Sequence, residues 1–155
     1  MIGCVVALHA AEAARKTSVP DATLTLDHAA RHLRRARLTC DDGGIVVVDL
    51  PEAAHLAHGD RLVLEDGRAV EVRAAVEPLL EIVPGDGNTV ATLAWHLGNR
   101  HVPAQIEADR ILVGRDPVLA RMLEGLGARL REVDEPFEPV RGAYHSHGHA
   151  HGHDH

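Results

Sequence analysis

The end of the chain carries a histidine at every second position. These histidines are His145, His147, His149, His151, His153 and His155, and small or acidic residues separate them. Neutral imidazole is a good ligand for nickel, zinc and copper. Expression tags are commonly unbroken histidine runs, whereas this stretch alternates, so we interpret it as a native metal-binding segment. Its small residues cannot build a core, and we expect residues 142–155 to be a disordered, flexible tail.

His101 is a second candidate ligand, although a lone histidine is a weak signal. By spacing alone, a structural role is favoured over metal binding. One imidazole is also too few, because transition-metal sites usually take four to six donors. Two copies of His101 facing each other across a twofold axis, together with tail histidines, would supply more donors.

Three further histidines have no complete metal-binding pattern. His28 and His32 have the i, i+4 spacing of one helix face, but no carboxylate or third histidine joins them, so a solvated face is favoured. His96 lies five residues before His101 and points elsewhere around the same predicted helix. The sequence leaves the roles of these three residues open.

Composition and missing motifs argue against several classes of function. A net charge of −7 makes a nucleic-acid partner unexpected. Cys4 and Cys40 lie outside any C-x-x-C pair and are expected to be small buried side chains. The motifs of phosphate-binding loops, serine hydrolases and zinc proteases are absent, so we expect no enzyme. Without an apolar run near the roughly 18 residues of a membrane span, or a good signal peptide, a cytoplasmic protein without membrane contact is expected.

Residues 1–75 are predicted to form a small β domain. A β-branched run from Ile45 to Leu50 predicts a strand that Pro51 closes. Asp66-Gly67 fits a two-residue type I′ hairpin turn. The return strand is predicted from Ala69 to Ala75, with its valines on one face.

From residue 76 the pattern alternates between strand and helix. Asn88 is predicted to cap a helix that stops at Gly98-Asn99. Asp116-Pro117 predicts the start of a second helix, which ends at Gly127. The order β-α-β-β-α-β within residues 76–141 is typical of the ferredoxin-like split βαβ arrangement. The predicted fold class is therefore α+β, with a small β domain, a ferredoxin-like domain and a His-rich tail.

Several motifs resemble the UreE family of urease accessory proteins. They are H-L-G-N-R-H-V-P-A-Q-I at residues 96–106, G-R-D-P-V-L at 114–119, P-F-E-P at 136–139 and G-A-Y-H at 142–145. The resemblance is close from about Leu79 onward and looser before it, where the order and length of the strands agree.

The resemblance implies a nickel metallochaperone that delivers Ni²⁺ for maturation of the urease active site. It implies a homodimer with a β domain that holds peptide or protein partners and a ferredoxin-like domain that binds metal. The histidine whose two copies share one nickel ion matches His101. The C-terminal ligands of the family match His145 most directly and His147 to His155 less directly. Where some members carry an extra H-x-H pair, this chain has Arg115-Asp116-Pro117.

The implied partners are the urease apoprotein and the other urease accessory proteins, including the accessory GTPase. Zn²⁺ or Cu²⁺ could compete for the same ligands, because imidazole accepts all three metals. Two other functions stay open at this point. One is a nickel or zinc storage buffer, and the other is a protein-binding scaffold in which the tail is incidental.

Overall fold

The computed structural model describes residues 2–9 and 19–142, with the backbone alone for residues 2–9. Within these residues the protein is α+β, as predicted, with ten strands and two helices. They are β1 (Ile2–His9), β2 (Ala22–Leu26), β3 (His32–Thr39), β4 (Ile45–His55), β5 (Arg61–Leu64), β6 (Ala69–Ala74), β7 (Val76–Val83), α1 (Val90–Asn99), β8 (Gln105–Ile106), β9 (Ile111–Gly114), α2 (Pro117–Gly125) and β10 (Arg129–Pro136). Neither of these two helices has the length and apolar character that crossing a membrane requires.

The strands form two sheets. The larger has six strands in the order β2-β6-β5-β1-β4-β3, and the smaller has four in the order β10-β7-β9-β8. The described chain divides into two compact units. The first contains residues 2–9, 19–80 and 132–138, and the second contains residues 81–131 and 139–142.

The core of the first unit is built from aliphatic side chains that alternate along the strands. Val46 and Val48 of β4 are buried, as are Val70 and Val72 of β6. Successive side chains of a strand point to opposite faces, so residues two apart enter the same core. The strands predicted from Ile45 to Leu50 and from Ala69 to Ala75 are thus confirmed. Cys40 is buried as expected, and burial raises the pKa of its thiol.

The predicted end of β4 at Pro51 is wrong, because the strand continues to His55. Its register against β3 shifts between two pairs: Asp49 lies opposite Arg35, whereas Ala54 lies opposite Leu33. Residues 50–53 of β4 therefore bulge out between these pairs. A proline has no N–H to donate to a ladder, and a bulge is one of the places where a strand tolerates it.

The turn between β5 and β6 has three residues, where two were predicted. The Gly67 N–H donates to the Leu64 carbonyl at 3.0 Å, and the Leu64 N–H donates to the Arg68 carbonyl at 2.9 Å. Gly67 has a φ of 87°, but Asp66 lacks the positive φ that a type I′ turn needs. The Asp66 carboxylate instead accepts the Arg68 N–H at 3.0 Å and fixes the turn.

In the second unit, the loop before α1 is fixed to the loop after α2. The N-cap of α1 is Thr89, whose hydroxyl accepts a backbone N–H of the first turn, so the cap predicted at Asn88 is wrong. Asn88 donates its side-chain amide to the Leu126 carbonyl at 2.7 Å. Gly85 lies so close to Gly127 that an added Cβ would come within 1.9 Å of the Gly127 carbonyl oxygen.

Candidate metal centre at the end of the first helix

His101 lies two residues after the end of α1 and adopts a left-handed backbone conformation, with a φ of 55°. The C-cap of the helix is Arg100. The His101 N–H donates to the Gly98 carbonyl at 3.1 Å, and the Val102 N–H donates to the Leu97 carbonyl at 3.2 Å. This pair of bonds is a Schellman motif, which satisfies carbonyl groups that a helix end leaves without a partner.

The second helix ends in the same motif, but with glycine in the left-handed position. Gly127 has a φ of 88°, and its N–H donates to the Glu124 carbonyl at 2.9 Å. The Ala128 N–H donates to the Leu123 carbonyl at 3.1 Å. The predicted start of α2 at Asp116-Pro117 is confirmed, whereas the helix ends at residue 125, two residues before the predicted end.

Histidine is less favourable than glycine at this backbone position. A left-handed conformation costs a residue with a Cβ roughly 1–2 kcal/mol, whereas glycine adopts it freely. Among the described residues, His101 is the one non-glycine residue with a positive φ. Its side chain is exposed, so burial does not explain its presence. A surface imidazole kept at an energetic cost points to a role for the side chain itself.

The neighbouring histidine of α1 has a different environment. The ring of His96 lies 5.1 Å from the ring of Trp95 in an edge-to-face contact. Trp95 is 64% exposed, so this pair lies at the surface of the unit. The prediction that His96 is separate from His101 stays a prediction.

The segment that leads into the tail lies beside the residues that follow His101. The Val140 N–H donates to the Ala104 carbonyl at 2.9 Å. The other predicted ligands, His145, His147, His149, His151, His153 and His155, lie outside the described residues. Within the described part of the chain, no group of three His, Cys, Asp or Glu side chains could hold a metal ion.

Sequence reasoning missed a group of histidines in the first unit. His28 and His32 do not share a helix, because residues 28–31 form a turn and His32 begins β3. His32 lies directly opposite His55 of β4, and the ring of His28 lies 5.0 Å from that of His55. The i, i+4 spacing of His28 and His32 was the signal in the sequence. The pairing of β3 with β4 is what brings His55 next to them.

Comparison with known proteins identifies the family. Residues 4–75 match the N-terminal domain of the UreE urease accessory protein, and residues 77–155 match its C-terminal domain. The chain is 56% identical over 129 residues to the urease accessory protein UreE of Agrobacterium fabrum. The aligned residues cover 83% of this chain and 80% of that protein. It is 58% identical over 123 residues to UreE of Mesorhizobium japonicum, with 79% and 63% covered. UreE of Rhizobium etli is 52% identical over 132 residues, with 85% and 65% covered.

The chain thus spans about two thirds of the length of the Mesorhizobium and Rhizobium etli proteins, and more of the Agrobacterium protein. The matched descriptions are those of an accessory protein, which confirms the expectation that the chain is not an enzyme. With both domain descriptions matched in order along its length, the chain belongs to the UreE family of urease accessory proteins.

Proposed function

We propose that this protein is a nickel metallochaperone, which binds Ni²⁺ through histidines and delivers it for maturation of the urease active site. The observation that carries the proposal is the exposed imidazole of His101 in a left-handed backbone position that favours glycine. The relatives are named as urease accessory proteins, which supports a role in urease maturation.

The proposed organisation has three parts. Residues 1–75 bind a peptide or protein partner, residues 76–141 form a ferredoxin-like domain that binds metal and dimerises, and residues 142–155 form the His-rich tail. The sheet order β10-β7-β9-β8, with a helix after β7 and a helix after β9, supports the ferredoxin-like arrangement. The urease apoprotein and the other accessory proteins, including the accessory GTPase, are the proposed partners.

The ligand set combines two sources of imidazole. In a homodimer, two copies of His101 facing each other supply two nitrogen donors, which is fewer than nickel accepts. The tail of the same chain can supply more. Val140 is held beside Ala104, three residues after His101. His145 follows Val140 by five residues, which span at most about 18 Å, so the first tail histidine can reach the end of α1.

A site of this kind is suited to transfer. The His101 side chain is exposed, so an incoming ligand from a recipient protein can approach the metal directly. Tail histidines on a short tether act at an effective concentration on the order of millimolar. This concentration favours capture of Ni²⁺ without permanently filling its coordination shell. Since each imidazole must lose its proton to bind, acid releases the metal below the ordinary histidine pKa of about 6.5.

Nickel titration calorimetry on four full-length proteins tests the ligand set. They are the natural chain, His101→Asn, a variant with all six tail histidines replaced by serine, and the combination of these changes. We expect the combined variant to bind one nickel ion per dimer fewer than the tail variant. His96→Asn is the matched control in the preceding helix. Equal numbers of bound ions in the tail variant and the combined variant would exclude His101 as a ligand.

Delivery is tested separately from binding. The nickel-loaded protein is mixed with urease apoprotein and the other accessory proteins in the presence of a chelator that removes free nickel. A metallochaperone activates urease under these conditions, whereas a storage buffer loses its nickel to the chelator and does not. The same assay with Zn²⁺-loaded and Cu²⁺-loaded protein shows whether the competing metals block delivery.

A further inference from the structure

Three imidazoles of the first unit meet at the start of β3, and we refer to His28, His32 and His55 as the first-unit histidine cluster. His32 and His55 are directly opposed across the antiparallel β3–β4 pair. Opposed residues of such a pair project to the same face, with Cβ atoms about 4.5–5.5 Å apart. The ring centroids of His32 and His55 are 5.8 Å apart, and those of His28 and His55 are 5.0 Å apart.

These separations are those of imidazoles that can share a metal ion. With metal–nitrogen bonds of about 2.1 Å and a tetrahedral angle between them, two ring centroids come to lie about 5 Å apart. Cross-strand pairing brings His32 and His55 together without any help from the metal, which lowers the entropic cost of forming a site.

The backbone around the cluster is fixed by a separate set of polar contacts. Glu77 accepts the His28 backbone N–H at 2.9 Å. The fully buried Arg31 donates to the Glu138 carboxylate at 2.6 Å and also to the Phe137 carbonyl. The Phe137 ring packs edge-on against the His28 ring at 5.4 Å. The turn that carries His28 is therefore held at both ends before any ligand arrives.

Charged side chains of both signs lie near His28. Burial, and next the Arg31 charge, hold the pKa of His28 below its ordinary value of 6.5. The Arg31 charge is in turn paired with Glu138, while the Glu77 carboxylate beside His28 offers a negative charge toward a bound cation. Metal-bound histidines are commonly accompanied by a nearby carboxylate.

We propose that the first-unit histidine cluster binds a borderline divalent metal such as Zn²⁺, Ni²⁺ or Cu²⁺, at a site separate from His101 and the tail. In the described conformation no three such side chains are positioned to hold an ion. The rings are tilted by 56–57° to one another, so closing the site requires their rotation about the side-chain bonds. His32 is exposed and the other two are half-buried, which leaves room for that rotation.

The site is tested in a full-length background in which His101 and the six tail histidines are replaced by asparagine. This background lacks every ligand of the proposed nickel-delivery site, so its outcome does not depend on that proposal. We expect calorimetry to show one Zn²⁺ ion per chain. His32→Asn and His55→Asn are each expected to weaken Zn²⁺ binding by at least the roughly 10–100-fold that loss of an outer-shell partner costs. His96→Asn is the matched control and is expected to leave the affinity unchanged.

A second readout does not depend on how the variants fold. In the background chain itself, Zn²⁺ is expected to shift the ring resonances of His28, His32 and His55 in NMR spectra and to leave those of His96 in place. Absence of Zn²⁺ binding in the background, or binding that leaves these three rings unshifted, overturns the proposal.

Discussion

His101 and Gly127 occupy the same position at the ends of the two helices. Each is the first residue after the C-cap, each has a positive φ, of 55° and 88° respectively, and each donates its N–H within the same Schellman pair of hydrogen bonds. The second helix uses glycine there, as helix ends commonly do. The first helix has a histidine at the same backbone position. Because glycine meets the backbone requirement at the second helix, the fold does not require a histidine side chain at the first.

Replacing His101 with glycine is expected to stabilise the protein and weaken its nickel binding. Glycine relieves the left-handed strain at a cost in unfolded-state entropy, and the net gain is about 0.5–1 kcal/mol in the free energy of unfolding. Urea denaturation and nickel calorimetry on the same preparation measure both effects. Gly127→Ala is the matched reverse change and is expected to destabilise. A less stable H101G protein would show that the histidine contributes to the fold.

Gly85→Ala is expected to destabilise the second unit by about 2 kcal/mol or more, because backbone would have to move to admit the new atom. The added Cβ would come within 1.9 Å of the Gly127 carbonyl oxygen. Gly98→Ala makes the same chemical change inside α1, where nothing lies within 4 Å of the added atom. There alanine is expected to be neutral or stabilising by up to about 1 kcal/mol. Equal effects in thermal unfolding would contradict the close approach.

Glu81 is expected to make stability depend on pH in the acid range. Its carboxylate accepts hydrogen bonds from Arg110 at 2.8 Å and from Arg131 at 3.1 Å. These bonds, that of Arg110 foremost, hold the pKa of Glu81 below its ordinary value of 4.5. The unfolded chain therefore takes up a proton first as the pH falls. The stabilisation is complete well above pH 4.5 and is lost as the pH falls through the folded-state pKa.

Glu81→Gln is accordingly expected to lower the free energy of unfolding at pH 7 by about 1–3 kcal/mol. The same change should flatten the dependence of stability on pH below 4.5. Urea unfolding at pH 7 and pH 4 measures both quantities. Glu52→Gln removes the same charge at an exposed position in the β4 bulge and is the control. A pH dependence that survives unchanged in E81Q would place its origin in other carboxylates.

Arg31→Ala is expected to cost about 3 kcal/mol, because it removes a fully buried side chain and its hydrogen bond to the partly exposed carboxylate of Glu138. The Arg31 side chain is fully buried and bonds to Glu138 and to the carbonyls of Asp27 and Phe137. Arg35 offers a matched comparison, since its pair with Asp49 is exposed on both sides. Arg35→Ala is expected to cost about 1 kcal/mol or less. Chemical denaturation of both variants measures the difference, and equal losses would contradict the role assigned to burial.

The sequence predicted the elements whose signals are local. Asp116-Pro117 starts α2, because a side-chain acceptor followed by a fixed φ favours a helix start regardless of the surroundings. The β-branched run of β4 and the alternating valines of β6 likewise predicted the strands of the first core. The features that the sequence did not predict depend on pairing between residues far apart in the chain. Pro51 lies inside β4 because a bulge against β3 accommodates it, and His55 joins His32 through the register of the same pair.

The left-handed residue after α1 could not be placed from local preferences, for a different reason. The helix ends at Asn99, within the predicted stop Gly98-Asn99, yet His101 takes the left-handed position. Preference scales assign that position to glycine, so they do not predict a histidine there. The mismatch at His101 supports the proposed metal-binding role, and it is visible once the backbone is known. The tail ligands stay a prediction.

In the proposed carrier, the position of the tail and the number of ions it binds depend on different features. One feature is the hydrogen bond between the Val140 N–H and the Ala104 carbonyl. It fixes the point from which the histidine-rich end departs, while the number of histidines beyond that point is free to change. Capacity and position are then set by different parts of the chain. Lengthening or shortening the histidine run would alter how many ions one protein carries without moving the place where they are handed over.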